Sequence, residues 1–269
     1  MKFRTRIVKS ALLLFAGLSC AAAAQSLTIL AEIAPPAQTK TADGKLGGYA
    51  VEIVREIQRR VGNTDPIQEV LWARGYNKLQ REPNTVLFTV ARTADRDPLF
   101  HWVGPITEIN YGLYVRADSP IVLGKLEDAK KLAAIGTFRE DAREQILAKA
   151  GLTNLERATD NVKNFKKLMA DRIDAMAIAD TAVATIATSA GYQAENVKLA
   201  LTFAQIQIWI AFSKTTPAAT VKAWSDALEA MKKDKTFETI MKREGGKKQD
   251  AHVTETPRRS GVSTPGAAK

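Results

Sequence analysis

The sequence predicts an α/β protein made of two α/β units in series. Three observations carry this. Short apolar runs of strand length alternate with amphipathic stretches of helical period along most of the chain. The alternation pauses at the strand-like segment Ile109 to Val115 and then starts afresh. The chain is also long enough, with 45% hydrophobic residues in 269, to build a large core or two smaller ones.

In the first unit, Leu27 to Ala31 (LTILA) reads as a buried strand, followed by Glu32 and a loop that Pro35 and Pro36 keep from being helical. Tyr49 to Val61 places Val51, Val54, Ile57 and Val61 on one helical face, with Gly62 at the position that closes a helix. Ile67 to Trp72 is a second predicted strand, Ala73 to Leu79 a short helix and Val86 to Val90 a third strand. A polar loop with Arg92 and Arg96 follows, then an aromatic run through Phe100 and Trp102 that Gly104 and Pro105 are expected to stop.

The second unit repeats the grammar. Leu126 to Lys131 is helical, Leu132 to Gly136 a strand, and Glu140 to Ala150 a helix ended by Gly151. A strand begins at Leu155, a helix at Asp160, and a strand runs from Ile173 to Ala179 before Asp180 opens a helix ending at Gly191. Val197 to Phe203 and Gln207 to Phe212 read as two strands. Thr216-Pro217 reads as an N-cap with proline at the first helical position, and Thr236 to Arg243 as a last helix. Ligands of such sheets sit beyond the carboxyl ends of the strands, and two facing lobes make a cleft there.

Residues 1–24 have a basic start (Lys2, Arg4, Arg6, Lys9), a short apolar run and CAAAAQ, the pattern of a cleavable secretory signal cut after Ala24. Cys20 raises a lipoprotein reading, against which Gly17 stands three residues earlier. Without the signal the chain has no cysteine, so its stability in an oxidising compartment must come from a core. Four basic residues leave with the signal, which lowers the net charge from +10 to +6; the segment 246–269, read as a disordered basic tail, carries +3 of that. The remaining +3 argues against a nucleic-acid surface. With two histidines, one beside Trp102 and one in the tail, His/Cys metal clusters are excluded, a Ser/His/Asp triad is disfavoured, and no phosphate-cradling G-x-x-x-x-G-K is present.

The stretch Phe88 to Ile106 is the strongest candidate for a binding site. A strand that ends in Thr93-Ala94-Asp95-Arg96 brings free amides, a hydroxyl and a guanidinium into one small volume, a receptor for a carboxylate. The alternative is a solvated loop. Arg92 fits a ligand contact or an ion pair between lobes equally well. Asp180 reads either as an N-cap or as an acceptor for a cation, and Trp72 as core or as a stacking platform. Thr137 and Arg139, at a strand-to-helix turn, form a candidate anion site.

Four pieces in order, Gly48-Tyr49-Ala50-Val51-Glu52, Thr93-Ala94-Asp95-Arg96, Trp102-Val103-Gly104-Pro105 and Ile178-Ala179-Asp180-Thr181, make the chain from Leu27 to about Lys242 resemble the periplasmic solute-binding proteins of ATP-driven importers, solute-binding family 3. The resemblance implies a type II, two-lobe periplasmic-binding-protein-like fold with two crossover strands, matched here by Ile109 to Val115 and Gln207 to Phe212. Lobe one would be residues 25–112 with 208–245, and lobe two 113–207. It places the carboxylate-pairing arginine on Arg96, polar strand-end contacts on Thr89 and Ala91, the ammonium acceptor on Asp180, the acid after the first strand on Glu32, the stacking aromatic on Trp72, and the lobe-two amide loop on Thr137 to Asp141. Two departures stand out: Glu140 and Asp141 where small residues are common, and Pro35-Pro36 where an aromatic often caps the ligand.

The expectation is a secreted, monomeric protein without cofactor that captures a small amino-acid-like or carboxylate metabolite by hinge closure for an inner-membrane ABC permease. A sensing role with a membrane receptor, or a dehydratase-like enzyme using Glu32 or Asp180 as acid, are the alternatives.

Overall fold

The computed structural model describes residues 26–41 and 43–245. The signal-peptide and basic-tail assignments fall outside these residues. The first lobe begins with strand β1 (Thr28–Ala31), a hairpin of β2 (Thr39–Lys40) and β3 (Leu46–Gly47), and helix α1 (Tyr49–Val61). It continues with β4 (Ile67–Glu69), α2 (Trp72–Arg81) and β5 (Thr85–Ala91). Helix α1 has the predicted bounds, and Gly62 takes the left-handed conformation at φ 69°, which lets its N–H reach the Gln58 carbonyl.

Strand β6 (Phe100–Arg116) leads to β7 (Ile135–Phe138), α3 (Ala142–Lys149), β8 (Leu155–Ala158), α4 (Asn161–Met169), β9 (Ala175–Ala179) and α5 (Val183–Ala190). Strand β10 (Val197–Ser213) returns, and α6 (Ala218–Lys233) and α7 (Thr236–Gly245) close on α1. One eight-stranded sheet runs in the order β4-β1-β5-β10-β6-β9-β7-β8. Pairs β1/β4, β1/β5, β7/β8 and β7/β9 are parallel, whereas β10 and β6 are antiparallel to their neighbours. The crossover strands therefore belong to both lobes: β10 pairs with β5 at Ile208 to Phe212, and β6 pairs with β9 at Tyr111 to Tyr114.

Several expectations need correction. The aromatic run does not stop at Gly104-Pro105. Pairing with β10 continues on both sides of it, with a register shift between Ile208 and Ile210, and Gly104 at φ 149° lies so close to Trp209 that a Cβ would sit 2.9 Å from the indole. Val197 to Phe212 is likewise one strand, because register shifts absorb the twist where two strands were expected. Trp72 opens α2 instead of ending β4, since Val70 already hydrogen-bonds back to Ala31. Thr216 does not cap α6; its hydroxyl is buried against that of Ser213 at 3.0 Å, which also accepts the Thr85 N–H.

The core divides with the topology. Ile29, Val54, Ile57, Val86, Phe212, Trp224 and Leu228 join α1, α6 and the sheet of the first lobe, with Phe212 and Trp224 edge to face at 5.2 Å. Leu113, Ile135, Leu147 and Ala177 fill one side of the second lobe's sheet, and Phe165, Ile178 and Val183 the other. A fourth cluster of Leu30, Trp72, Tyr76, Leu87 and Phe100 packs α2 on the sheet beside the cleft.

Candidate ligand-binding site

The two lobes enclose a cavity of about 440 Å³ where the carboxyl ends of β1, β4, β5, β7, β8 and β9 meet. That size falls in the range of small-molecule sites. Ile109, Tyr111 and Ile208 from the crossover strands form its floor, with Ile109 and Tyr111 projecting to one side by the two-residue strand period.

In the first lobe, Arg96 is 1% exposed although it sits in a loop. Its guanidinium lies over the rings of Trp72 and Tyr76 at 5.4 and 4.8 Å. Nη1 donates to the Ala91 carbonyl at 3.5 Å, and the other donors cross the cleft: Nε to Gln145 Oε1 at 3.2 Å and Nη2 to the Glu140 carbonyl at 3.2 Å. Thr93 makes this loop turn by accepting the Arg96 and Asp97 N–H groups on its carbonyl, and its side chain is not in the cavity wall.

Glu32 accepts the Trp72 backbone N–H at 3.1 Å. Burial pushes its carboxyl from 4.5 up to about 7; the Trp72 N–H and Arg143 pull it down and Asp141 pushes it further up. Thr89, at φ 60° within β5, turns its hydroxyl to the Phe88 carbonyl at 2.6 Å. Because that one proton is committed, Gln38 must donate Nε2 to Thr89 Oγ1, at 2.6 Å, leaving Gln38 Oε1 buried without a partner.

The second lobe contributes Phe138, Asp141 and Arg143. Asp141 caps α3, accepts both the backbone N–H and Nε of Arg143, and its side chain is only 14% exposed. Burial raises the Asp141 carboxyl, but the Arg143 charge and hydrogen bonds, with help from Arg96, hold it below its ordinary value. The Arg143 guanidinium rests over Tyr111 and Phe138 at 5.7 and 5.9 Å. The loop amides are engaged by the chain itself: Glu140 N–H donates to the Glu144 carboxylate at 2.8 Å and Arg139 N–H to the Ala158 carbonyl at 2.8 Å.

Five of the residues singled out by sequence, Glu32, Trp72, Thr89, Ala91 and Arg96, therefore line one cavity. Four do not. Asp180 is exposed in a 3₁₀ turn and accepts the Asn110 side-chain and backbone N–H groups at 2.9 and 3.3 Å, so it fastens β9 to β6 and faces away from the cavity. Thr93 supports the Arg96 loop. Thr137 is fully buried within β7, and Arg139 is exposed just before the left-handed turn at Glu140 (φ 59°), while Phe138, Asp141 and Arg143 line the cavity. Sequence reasoning passed over Gln38, Tyr111, Arg143 and Asn161. The available signals were a glutamine placed by Pro35-Pro36-Ala37 and an arginine two residues after a capping aspartate.

Among the described residues, no group of three or more His, Cys, Asp and Glu converges as a metal set, and no helix is long and apolar enough to cross a membrane.

Similar structures share the type II periplasmic-binding-protein-like fold. A histidine kinase sensor domain similar to periplasmic binding proteins aligns with a TM-score of 0.73 at 21% identity, over 81% of this chain and 96% of that one. An arginine-, lysine-, histidine-binding protein from Geobacillus stearothermophilus aligns at 0.71 and 16% identity, over 82% and 96%. An ancestral amino-acid-binding protein, the precursor of cyclohexadienyl dehydratase, aligns at 0.67 and 18% identity, over 81% and 94%. Among curated proteins no sequence match is found. A family model matches residues 27–247, nearly everything the structure describes, and the chain thus belongs to the bacterial extracellular solute-binding proteins, family 3.

Proposed function

We propose that this protein binds a small amino-acid-like or carboxylate metabolite outside the cytoplasm, closes its two lobes on it, and presents the closed form to an ABC permease, acting as a monomer and without cofactor. The observation that carries the reading is Arg96. It stands at the wall of a two-lobed cavity, braced by Trp72 and Tyr76, and its outer donors meet the Glu140 carbonyl and Gln145 amide of the opposite lobe. Those acceptors occupy the directions in which a ligand carboxylate would bind the fork. Ligand contacts from both lobes then bias the open–closed equilibrium, and a partner reads the closed state. Structural neighbours that bind arginine and related amino acids support the ligand class.

A thermal-shift screen of the secreted chain against amino acids, amines, small carboxylic acids and dipeptides tests this. A ligand at 100 times its Kd stabilises by about 2.7 kcal/mol. A hit lost in Arg96→Ala supports the reading; no hit in any class overturns it.

A second reading has one specific observation behind it. Glu32 holds its proton up to about pH 7 inside the cavity, near Arg143, which suits a general acid. Loss of water from a small cyclic carboxylic acid, followed by mass spectrometry with Glu32→Gln as control, tests for such a dehydratase.

A further inference from the structure

The charges around the cavity narrow what it can hold. Among the described residues four carboxylates line it, Glu32, Glu69, Asp141 and Asp160, with two guanidiniums, Arg96 and Arg143. Three of the carboxylates are engaged by the protein. Glu69 pairs with Lys40 at 2.7 Å, Asp141 pairs with Arg143, and Asp160 caps α4 by accepting the Val162 N–H at 2.8 Å. Glu32 is the fourth. It is half-buried, its Oε1 accepts the Trp72 N–H at 3.1 Å, and burial pushes its carboxyl up to about 7, so it meets the cavity as a neutral group with a proton to donate.

The two guanidiniums are not matched in the same way. Arg143 has Asp141 beside it. Arg96 is 1% exposed, and the three acceptors it meets, the Ala91 carbonyl, the Glu140 carbonyl and Gln145 Oε1, are all uncharged. Its charge is felt at Asp141, but there Arg143 acts more strongly. Two guanidiniums therefore share one ionised carboxylate at this end of the cavity, a surplus of one buried positive charge. Two of the three acceptors of Arg96 belong to the opposite lobe, and they leave with it when the cleft opens, which frees the fork for an anion.

An amino acid suits this end poorly. Its ammonium is attached to the carbon next to the carboxylate, so it would sit between two guanidiniums and a protonated carboxyl, with no free carboxylate to receive it. Asp180, the acid expected to receive it, is bound to Asn110 away from the cavity. Asp160 stands after β8, one strand further out than the Glu140 turn that follows β7. Around the rest of the wall Ile109, Phe138, Ile186 and Ile208 offer an apolar surface.

We propose that the ligand is a carboxylic acid without an ammonium group: its carboxylate takes the place of the Glu140 carbonyl and Gln145 on Arg96, an uncharged hydroxyl or keto oxygen faces Glu32, and an apolar body fills the remainder. The inference rests on the proposed binding function and selects within the ligand class named there.

Titration calorimetry on the secreted chain with matched series tests it: phenylalanine, phenyllactate and phenylpyruvate, and the amino, hydroxy and oxo acids that share the leucine and tryptophan side chains. In at least one series the hydroxy or oxo acid should bind at least about tenfold more tightly than the amino acid, and Arg96→Ala, its folding checked by a melting curve, should abolish that heat. If the three series are silent, any ammonium-free acid found by the wider screen is titrated against its amino counterpart under the same criterion. An amino acid that binds as tightly as its hydroxy and oxo partners, a tight acid indifferent to Arg96→Ala, or wider-screen hits confined to amino acids, amines and dipeptides overturns the ammonium-free ligand while the binding function stands. No heat in any series, together with no hit in the wider screen, removes both.

Discussion

Trp72 and Arg96 converge on one oxygen. The indole Nε1 donates to the Glu140 carbonyl at 3.1 Å and the guanidinium Nη2 at 3.2 Å, while the guanidinium itself lies over the indole. Two residues of the first lobe thus hold a single backbone acceptor of the second, and the cleft is shut by the protein's own groups.

Arg96→Ala should therefore open the ligand-free protein. It removes both cross-cleft bonds of the guanidinium and leaves, among the described residues, the side-chain hydrogen bonds of Lys149 with Asp95 and of Trp72 with Glu140 between these walls. The expected result is a larger radius of gyration by X-ray scattering and a stability loss of about 2 kcal/mol in urea, from the lost packing and hydrogen bonds. An unchanged radius would mean that Arg96 does not hold the lobes together.

Glu32 makes stability depend on pH in a defined window. Its folded carboxyl titrates at about 7 against 4.5 for the ordinary group, so between these values the unfolded chain has released a proton that the folded chain keeps. Stability contributed by this group is full below pH 4.5 and falls as pH rises to 7, by on the order of 3 kcal/mol. Glu32→Gln should flatten that slope and leave the protein more stable than wild type at pH 8. Identical urea midpoints for the two proteins across pH 5–8 would contradict it.

The Asp141–Arg143 pair should behave as a unit. Asp141→Asn keeps the cap of α3 but leaves a buried guanidinium uncompensated, a loss of about 3–5 kcal/mol. Replacing both, with Asn at 141 and Met at 143, should recover most of it, because a well-packed apolar group needs no counter-charge. A double variant that loses the sum of the Asp141→Asn and Arg143→Met losses would show that the two side chains are not coupled.

Gly48 holds the loop that carries Gln38. At φ 95°, a Cβ there would lie 2.5 Å from the Ala37 carbonyl oxygen and 2.9 Å from that of Pro36, both backbone atoms that cannot swing aside. Gly48→Ala should cost about 1–3 kcal/mol and, by moving Gln38, weaken ligand binding more than a surface Gly44→Ala, whose Cβ would meet nothing within 4 Å.

How far the sequence speaks can be seen residue by residue. Helix α1 was legible because its apolar period and Gly62 agree, two local signals for one boundary. The join of β6 across Gly104-Pro105 was not, because pairing with β10, remote in sequence, decides it. At the site, Arg96 was legible from a loop motif. Arg143 was not, because the sequence does not show the left-handed turn at Glu140, after which positions 141 and 143 line the cavity while Arg139 before it faces solvent. Asp180 shows the converse: the residue type suits a ligand, and Asn110 on the neighbouring strand has already claimed it.

The shared sheet has a consequence for inheritance. Everything between the middle of β6 and the middle of β10 is a single uninterrupted stretch of chain, while the other lobe is assembled from what lies before and after it. The second lobe's share of the binding wall, from Phe138 to Ser189, travels in that stretch as one cassette. Recombination with a relative at the two crossover strands would exchange it whole, giving a new ligand preference on an unchanged partner lobe with only two junctions to heal, both of them inside continuous β-pairing.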